Sequence, residues 1–199
     1  MASFLLLDFQ RLDERHGDGF AVQFHIYDVF HFLFDRWIWK WKFELISIEQ
    51  FKKDVAGYKY EDLKLPFRKT KKSAGYDFIS FLDIVIHPGE AVKIPTGVKV
   101  MLDDGEFLAI FVRSSMGFKY NVRMCNQVGI IDGDYYNNID NEGHIWIKLQ
   151  NEGDKDYIIK KGDAFAQGII MKYYLCDDDN VFGERIGGIG STDRRDNNE

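Results

Sequence analysis

The chain has 199 residues, 45% hydrophobic and 29% charged, which suits one soluble domain with a full core and leaves two complete domains cramped. Its net charge of −6 and pI near 5.4 exclude general affinity for the nucleic-acid backbone, so a polyanionic small substrate would need local arginines or a metal ion. Cys125 and Cys176 make neither a CxxC pair nor a disulfide framework and no signal peptide precedes them, so both read as reduced thiols of an intracellular, cytoplasmic protein.

Residues 1–42 differ from the remainder in being crowded with aromatics, from Phe20 to Trp37, Trp39 and Trp41. Asp28, Asp35, Arg36 and Lys40 interrupt the run, which argues against a membrane span. The alternation of Trp37, Trp39, Trp41 and Phe43 with Ile38, Lys40 and Lys42 suits a half-buried strand. The segment reads as an extension of unassigned role, either partner-binding or poorly ordered; His25 and His31 lack a third ligand at a metal-like spacing and read as structural or incidental.

From Phe43 onward the texture changes. FELIS reads as a short strand, IEQFKKDV as a weak helix, and the cluster Arg68, Lys69, Lys71 and Lys72 as a solvated loop leading into Ala74-Gly75-Tyr76-Asp77, where Gly75 permits an unusual backbone angle. Short apolar runs then alternate with turn signals: 84–86, 92–94, 98–102, 107–112, 145–149, 157–159 and 165–175. With no long amphipathic helix among them, these runs predict an all-β sandwich, barrel or jelly roll.

Four stretches carry chemistry. In NQVGIIDGDYYNN, Asp132 ends an apolar run and reads either as a hairpin turn former or as an acid that orients a water and takes its proton, with a tyrosine face nearby. Arg113-Ser114-Ser115-Met116-Gly117 offers a guanidinium fork and two hydroxyls suited to phosphate oxygens, although Ser-Ser-x-Gly is also a common turn. Gln167 in KKGDAFAQG reads as a phosphate donor or a strand partner, and RIGGIGST as a glycine-rich cover, a weak signal by itself.

Taken in order, AGYDF, RSSMG, NQVGIIDGDYY, KKGDAFAQG and RIGGIGST resemble the motifs of the trimeric dUTPase family, over roughly residues 43–192. The resemblance implies a dUTPase-like β jelly roll or distorted barrel at 43–183, a C-terminal arm at 184–199 and an N-terminal extension at 1–42. It also implies a homotrimer with active sites between subunits, hydrolysing dUTP to dUMP and pyrophosphate with Mg2+. Within it, Asp77 would lie near the magnesium-triphosphate end through water, and Arg113, Ser114, Ser115 and Gln167 would hold phosphate. Asn126 and the backbone from Gly129 through Ile131 to Asp132 would recognise the uracil edge. Tyr135 would pack under the deoxyribose and Asp132 would orient the attacking water. Arg185, Ile189 and Ser191 on the arm would close over another subunit's site. Trp146 reads as a core residue or a nucleotide contact.

The fifth motif departs from the family pattern. Ile189 stands where a stacking Phe is usual, the arginine is one residue nearer the glycines, and Thr192 is followed by Asp193-Arg194-Arg195. Two rival readings remain: a regulatory binding protein on the same scaffold, and a dCTP deaminase, which the presence of Lys148 in place of a strand glutamate disfavours. The departure predicts weak arm closure and reduced turnover, because an aliphatic side chain covers a base without stacking on it. Ile189→Phe should therefore raise the rate or apparent affinity in steady-state dUTP hydrolysis; no gain in either would contradict the expectation.

Overall fold

The computed structural model describes residues 42–181 together with 183, 185, 187 and 188. Eleven strands dominate it: β1 Lys42–Leu45, β2 Tyr76–Ile79, β3 Ile84–Ile86, β4 Ala91–Pro95, β5 Val98–Met101, β6 Glu106–Phe111, β7 Val122–Met124, β8 Gly129–Asp132, β9 Trp146–Asn151, β10 Tyr157–Ile159 and β11 Ala164–Lys172. Two seven-residue helices accompany them, α1 Ile48–Asp54 and α2 Ser114–Tyr120. The expected all-β fold of jelly-roll type is therefore present, and no helix among the described residues is long and apolar enough to cross a membrane.

The largest sheet has the order β2-β11-β6-β8, all antiparallel; a second has the order β4-β9-β7. β9 alternates, with Ile147, Leu149 and Asn151 buried and Lys148 outside, as a strand with one solvated face should. β6 lies between two partners and buries Leu108, Ala109 and Ile110 in succession. Its side chains join Phe78, Ile94, Val98, Ile147 and Phe165 in the main core.

Three local expectations change. RSSMG, for which a turn was one local reading, begins α2, because Arg113 stays extended while Ser114 to Tyr120 wind into a helix that buries Met116 in the core. The strand ending at Asp132 pairs with β6, and the Gly-Asp step opens a 3₁₀ turn, Gly133–Tyr135, which carries Tyr135 back into the interior. Gly75 has no positive φ; a Cβ there would lie 2.6 Å from the Gln167 side-chain oxygen, so it is close approach to β11 that the glycine permits. The half-buried strand expected through Trp37, Trp39 and Trp41 lies outside the described residues, and the short strand expected at FELIS overlaps β1, Lys42–Leu45.

α1 sits over a smaller core of Ile46, Phe51, Val55, Leu63, Phe81 and Leu82. Ser47 caps it, its hydroxyl accepting from the Gln50 N–H at 3.0 Å and donating to Glu142 at 2.5 Å. From its last turn Asp54 reaches the buried ring of His144, with Oδ2 2.6 Å from Nδ1. On the other side, His144 Nε2 accepts the Gly97 N–H at 2.9 Å, so the neutral ring must carry its proton on Nδ1 and donate to Asp54. Burial, partly offset by Asp54, pushes the His144 pKa down.

Two predictions come from this packing. Gly143 has φ +80°, and a Cβ would lie 2.6 Å from the Tyr135 carbonyl oxygen and 3.1 Å from Tyr136 Cα, both backbone atoms that cannot turn aside. Gly143→Ala should lower unfolding free energy by about 2 kcal/mol, measured as a shift in urea midpoint. Because His144 titrates lower in the folded chain, the unfolded state binds the extra proton. Its contribution is complete above pH about 6.5 and is lost as pH falls through that value toward the depressed folded pKa. His87, raised by Asp156, acts with the opposite sign but is common to both proteins in a comparison with His144→Gln. The wild-type urea midpoint should fall more steeply than that of the variant between pH 7 and pH 5; parallel slopes would refute the assignment.

Candidate active site

Two groups of polar side chains stand at opposite ends of β6. At its start, β8 places Asp132 opposite Phe107, with the carboxylate half exposed. The 3₁₀ turn that follows sends Tyr135 inward until it is 6% exposed, where its hydroxyl donates to the His144 carbonyl at 3.0 Å. Asn141 Nδ2 donates to that same hydroxyl oxygen at 2.8 Å. Burial outweighs this bond and raises the Tyr135 pKa, so the phenol stays protonated.

A tight polar loop fixes Asn141 in turn. Asn137 and Glu142 take left-handed conformations, and Asn138 accepts from the N–H groups of Asp140 and Asn141 while its own amide donates to the Tyr135 carbonyl at 2.8 Å. Asn141 Oδ1 accepts from Gly143 N–H at 3.0 Å. Next to this loop Tyr136 donates to Glu44 at 2.6 Å, and burial followed by that carboxylate pushes its pKa up to about 12. These bonds leave the Tyr135 ring one position.

At the other end, β11 places Gln167 opposite both Phe111 and Asp77. Asp77, 7% exposed, has Arg113 Nε 3.3 Å from Oδ1 and Lys69 Nζ 3.6 Å from Oδ2. Arg113 also donates to the Ala164 carbonyl at 3.3 Å, and Gln167 to the Val112 carbonyl at 3.1 Å. Ser114 and Ser115 follow on the exposed first turn of α2. The cluster gathers a fork, two hydroxyls and an amide, donors that suit the oxygens of a phosphate.

The expected residues thus fall into two sets. Asp77, Arg113, Ser114, Ser115 and Gln167 lie at one end of β6. Asp132 and Tyr135 lie at the other, with Gly129 and Ile131 along β8 between them and the exposed Asn126 in the β7–β8 turn. Arg185 joins the second set on its own chain, Nη2 2.7 Å from Asp132 and Nε 2.9 Å from Asp134, above the Tyr135 ring. Ile189 and Ser191 lie outside the described residues. Trp146 is half-buried, with the Lys93 ammonium 4.3 Å from its ring centroid.

Sequence reading missed Asn141, His144, Asp54 and Asp134. The loop signal Asn-Asn-x-Asp-Asn-Glu-Gly was visible, but which of its amides would meet Tyr135 depends on folding of residues 137–143. Asp54 comes from α1, ninety positions before its histidine partner, and had no local signal.

Comparison with known proteins gives these groups a context. The dUTPase family profile matches residues 61–181. A deoxyuridine 5'-triphosphate nucleotidohydrolase of Lactococcus lactis is 41% identical over 140 residues, covering 69% of this chain and 93% of that protein. One from Desulfitobacterium hafniense is 36% identical over 137 residues, covering 65% and 87%. Among solved structures, the Streptococcus mutans dUTPase superposes with a TM-score of 0.57 at 41% identity, covering 68% of this chain and 98% of that one. With a match spanning more than half its length and relatives aligned over nearly their whole length, the chain belongs to the dUTPase family.

Proposed function

We propose that this chain is a dUTP diphosphatase whose working unit is a homotrimer, with each active site assembled from different copies. The observation that carries the reading is the register along β6. Asp132 pairs with Phe107 and Gln167 with Phe111, four residues apart, or about 14 Å at roughly 3.4 Å per residue. Arg113 lies two residues farther on. That backbone separation exceeds the two anhydride links between the α- and γ-phosphorus atoms, which supports a site whose acid and phosphate donors come from different copies. A neighbouring copy that brings its Arg113 end against this Asp132 end completes the set.

In the assembled site, Asn126 and the backbone of Gly129 and Ile131 would meet the uracil edge. A wrong base would leave their polar groups unpaired, which is how such a site rejects cytosine. The immobilised Tyr135 ring would form the floor under the deoxyribose and leave no room for a 2′-hydroxyl. Asp132 would accept a proton from a water as its oxygen adds to the α-phosphorus; the bond to the α–β bridging oxygen breaks, and pyrophosphate leaves from dUMP. Arg113, Ser114, Ser115 and Gln167 of the neighbouring copy would spread their donors over the departing charge.

No three His, Cys, Asp or Glu side chains gather into a metal cage among the described residues, and Asp77 is already balanced by Arg113 and Lys69. This donor set fits a magnesium ion carried by the phosphate oxygens and water, with Asp77 meeting it through water. When bound, the ion would offset negative charge on the triphosphate.

The test uses two variants, each defective at a different end. Asp132→Asn should lower kcat by about 10²- to 10⁴-fold, and Arg113→Ala should also be nearly inactive. Co-refolded at equal concentration, three quarters of randomly assembled trimers are mixed and each holds one intact site, so about one quarter of wild-type activity should return. Pyrophosphate release from dUTP is the readout, with dCTP, dTTP and UTP as controls. A mixture no more active than its parents would refute the shared site, and wild-type protein that leaves dUTP intact with magnesium present would refute the hydrolase.

A further inference from the structure

The geometry points to Lys69 as a triphosphate-binding residue, presented by a hydrogen-bonded basic loop beside Arg113; this rests on the nucleotide reading above and extends it to a side chain outside the five motifs. Residues 68–72 are all exposed, as expected of a solvated loop, and the loop is also hydrogen-bonded. At its start, Phe67 and Asp77 form a backbone bridge, with Asp77 N–H donating to the Phe67 carbonyl at 2.9 Å. At its end, Arg68 donates to the Ser73 carbonyl at 3.0 Å, and Thr70 Oγ1 accepts the Ser73 N–H at 3.1 Å. Gly75 then presses against Gln167.

Held at both ends, the loop turns Lys69 toward Asp77. The carboxylate has cations on two sides, Arg113 Nε at 3.3 Å and Lys69 Nζ at 3.6 Å. Asp77 cancels one positive charge, so the Asp77–Arg113 pair by itself is neutral. Lys69 gives it a net positive charge in a chain whose formal total is −6. A polyanion approaching an acidic protein depends on such a local excess.

The distances separate Lys69 from an ordinary ion pair. At 3.6 Å the ammonium is ion-paired with Asp77 but beyond a short charge-assisted hydrogen bond to it, which lets it turn its donors to another partner. Its side chain is 52% exposed whereas that of Asp77 is 10% exposed, so the ammonium stands on the outer rim. A phosphate that reaches Arg113, Ser114 and Ser115 meets this ammonium next.

The experiment compares Lys69→Met with Lys71→Met, which removes an equal charge from the same exposed loop. Lys69→Met should raise KM for dUTP about 5- to 20-fold with kcat within about twofold of wild type, and should flatten the dependence of kcat/KM on salt. Binding of dUMP should be unchanged, Lys69→Arg should recover most of the loss, and Lys71→Met should stay within about twofold of wild type. Equal effects of the two methionine variants, or parallel weakening of dUTP and dUMP, would overturn the proposal in favour of a diffuse or merely structural charge. If wild-type protein does not hydrolyse dUTP, the hydrolase reading fails separately. Calorimetric binding of inorganic tripolyphosphate then decides the phosphate site, which is refuted if wild type and Lys69→Met bind it alike.

Discussion

Backbone pairing along β6 holds the acid and the cations apart. One strand accepts β8 on one edge and β11 on the other, and the register of those two ladders assigns Asp132 to its beginning and Gln167, Asp77 and Arg113 to its end. A one-residue slip would turn every side chain to the opposite face. Burial of Leu108 and Ile110 in the main core prevents that slip, because either alternative exposes them. Core packing thus fixes the spacing of the two polar groups.

The same economy governs the ring at the Asp132 end. Tyr135 is aimed by hydrogen bonds at its hydroxyl from Asn141 and to the His144 carbonyl, and those partners are held by a loop with left-handed residues and by the Asp54–His144–Gly97 chain. Each bond is modest alone, about 1 kcal/mol net. Together they remove the alternatives for a ring whose use depends on its plane. No buried side-chain polar atom among the described residues lacks a partner, so nothing in this network pulls toward another arrangement.

Much of this was legible in the sequence, and the reasons differ by residue. The strands at 84–86 and 157–159 have the predicted bounds, because apolar runs closed by Pro, Gly and Asp carry their own punctuation. Candidate roles for Asp132, Arg113 and Gln167 could be proposed from motif order, whereas their separation on one chain could not be read, since register depends on three strands meeting. α2 was missed because Arg-Ser-Ser resembles a turn; the buried Met116 that favours the helix shows only in tertiary context. That the basic loop is exposed was legible from its charges, whereas the hydrogen bonds that hold it were not, because composition does not report them.

The root of the C-terminal arm follows from these same acids. Arg185 spans Asp132 and Asp134, and Gly188 N–H donates to Asp140 at 2.9 Å, on the loop that holds Asn141. The guanidinium side chain is only 12% exposed, and its carbon lies 5.7 Å from the centre of the Tyr135 ring. The root is thereby tied to the acid and to the loop that fixes the ring. Two carboxylates side by side repel, and a single planar cation bridging them relieves that repulsion while leaving the second oxygen of Asp132 outside the bridge. The acid proposed to place the water and the segment from Arg185 to Gly188 therefore share one electrostatic anchor. A change in the charge of Asp134 acts on both, although Asp134 belongs to neither the strand nor the arm.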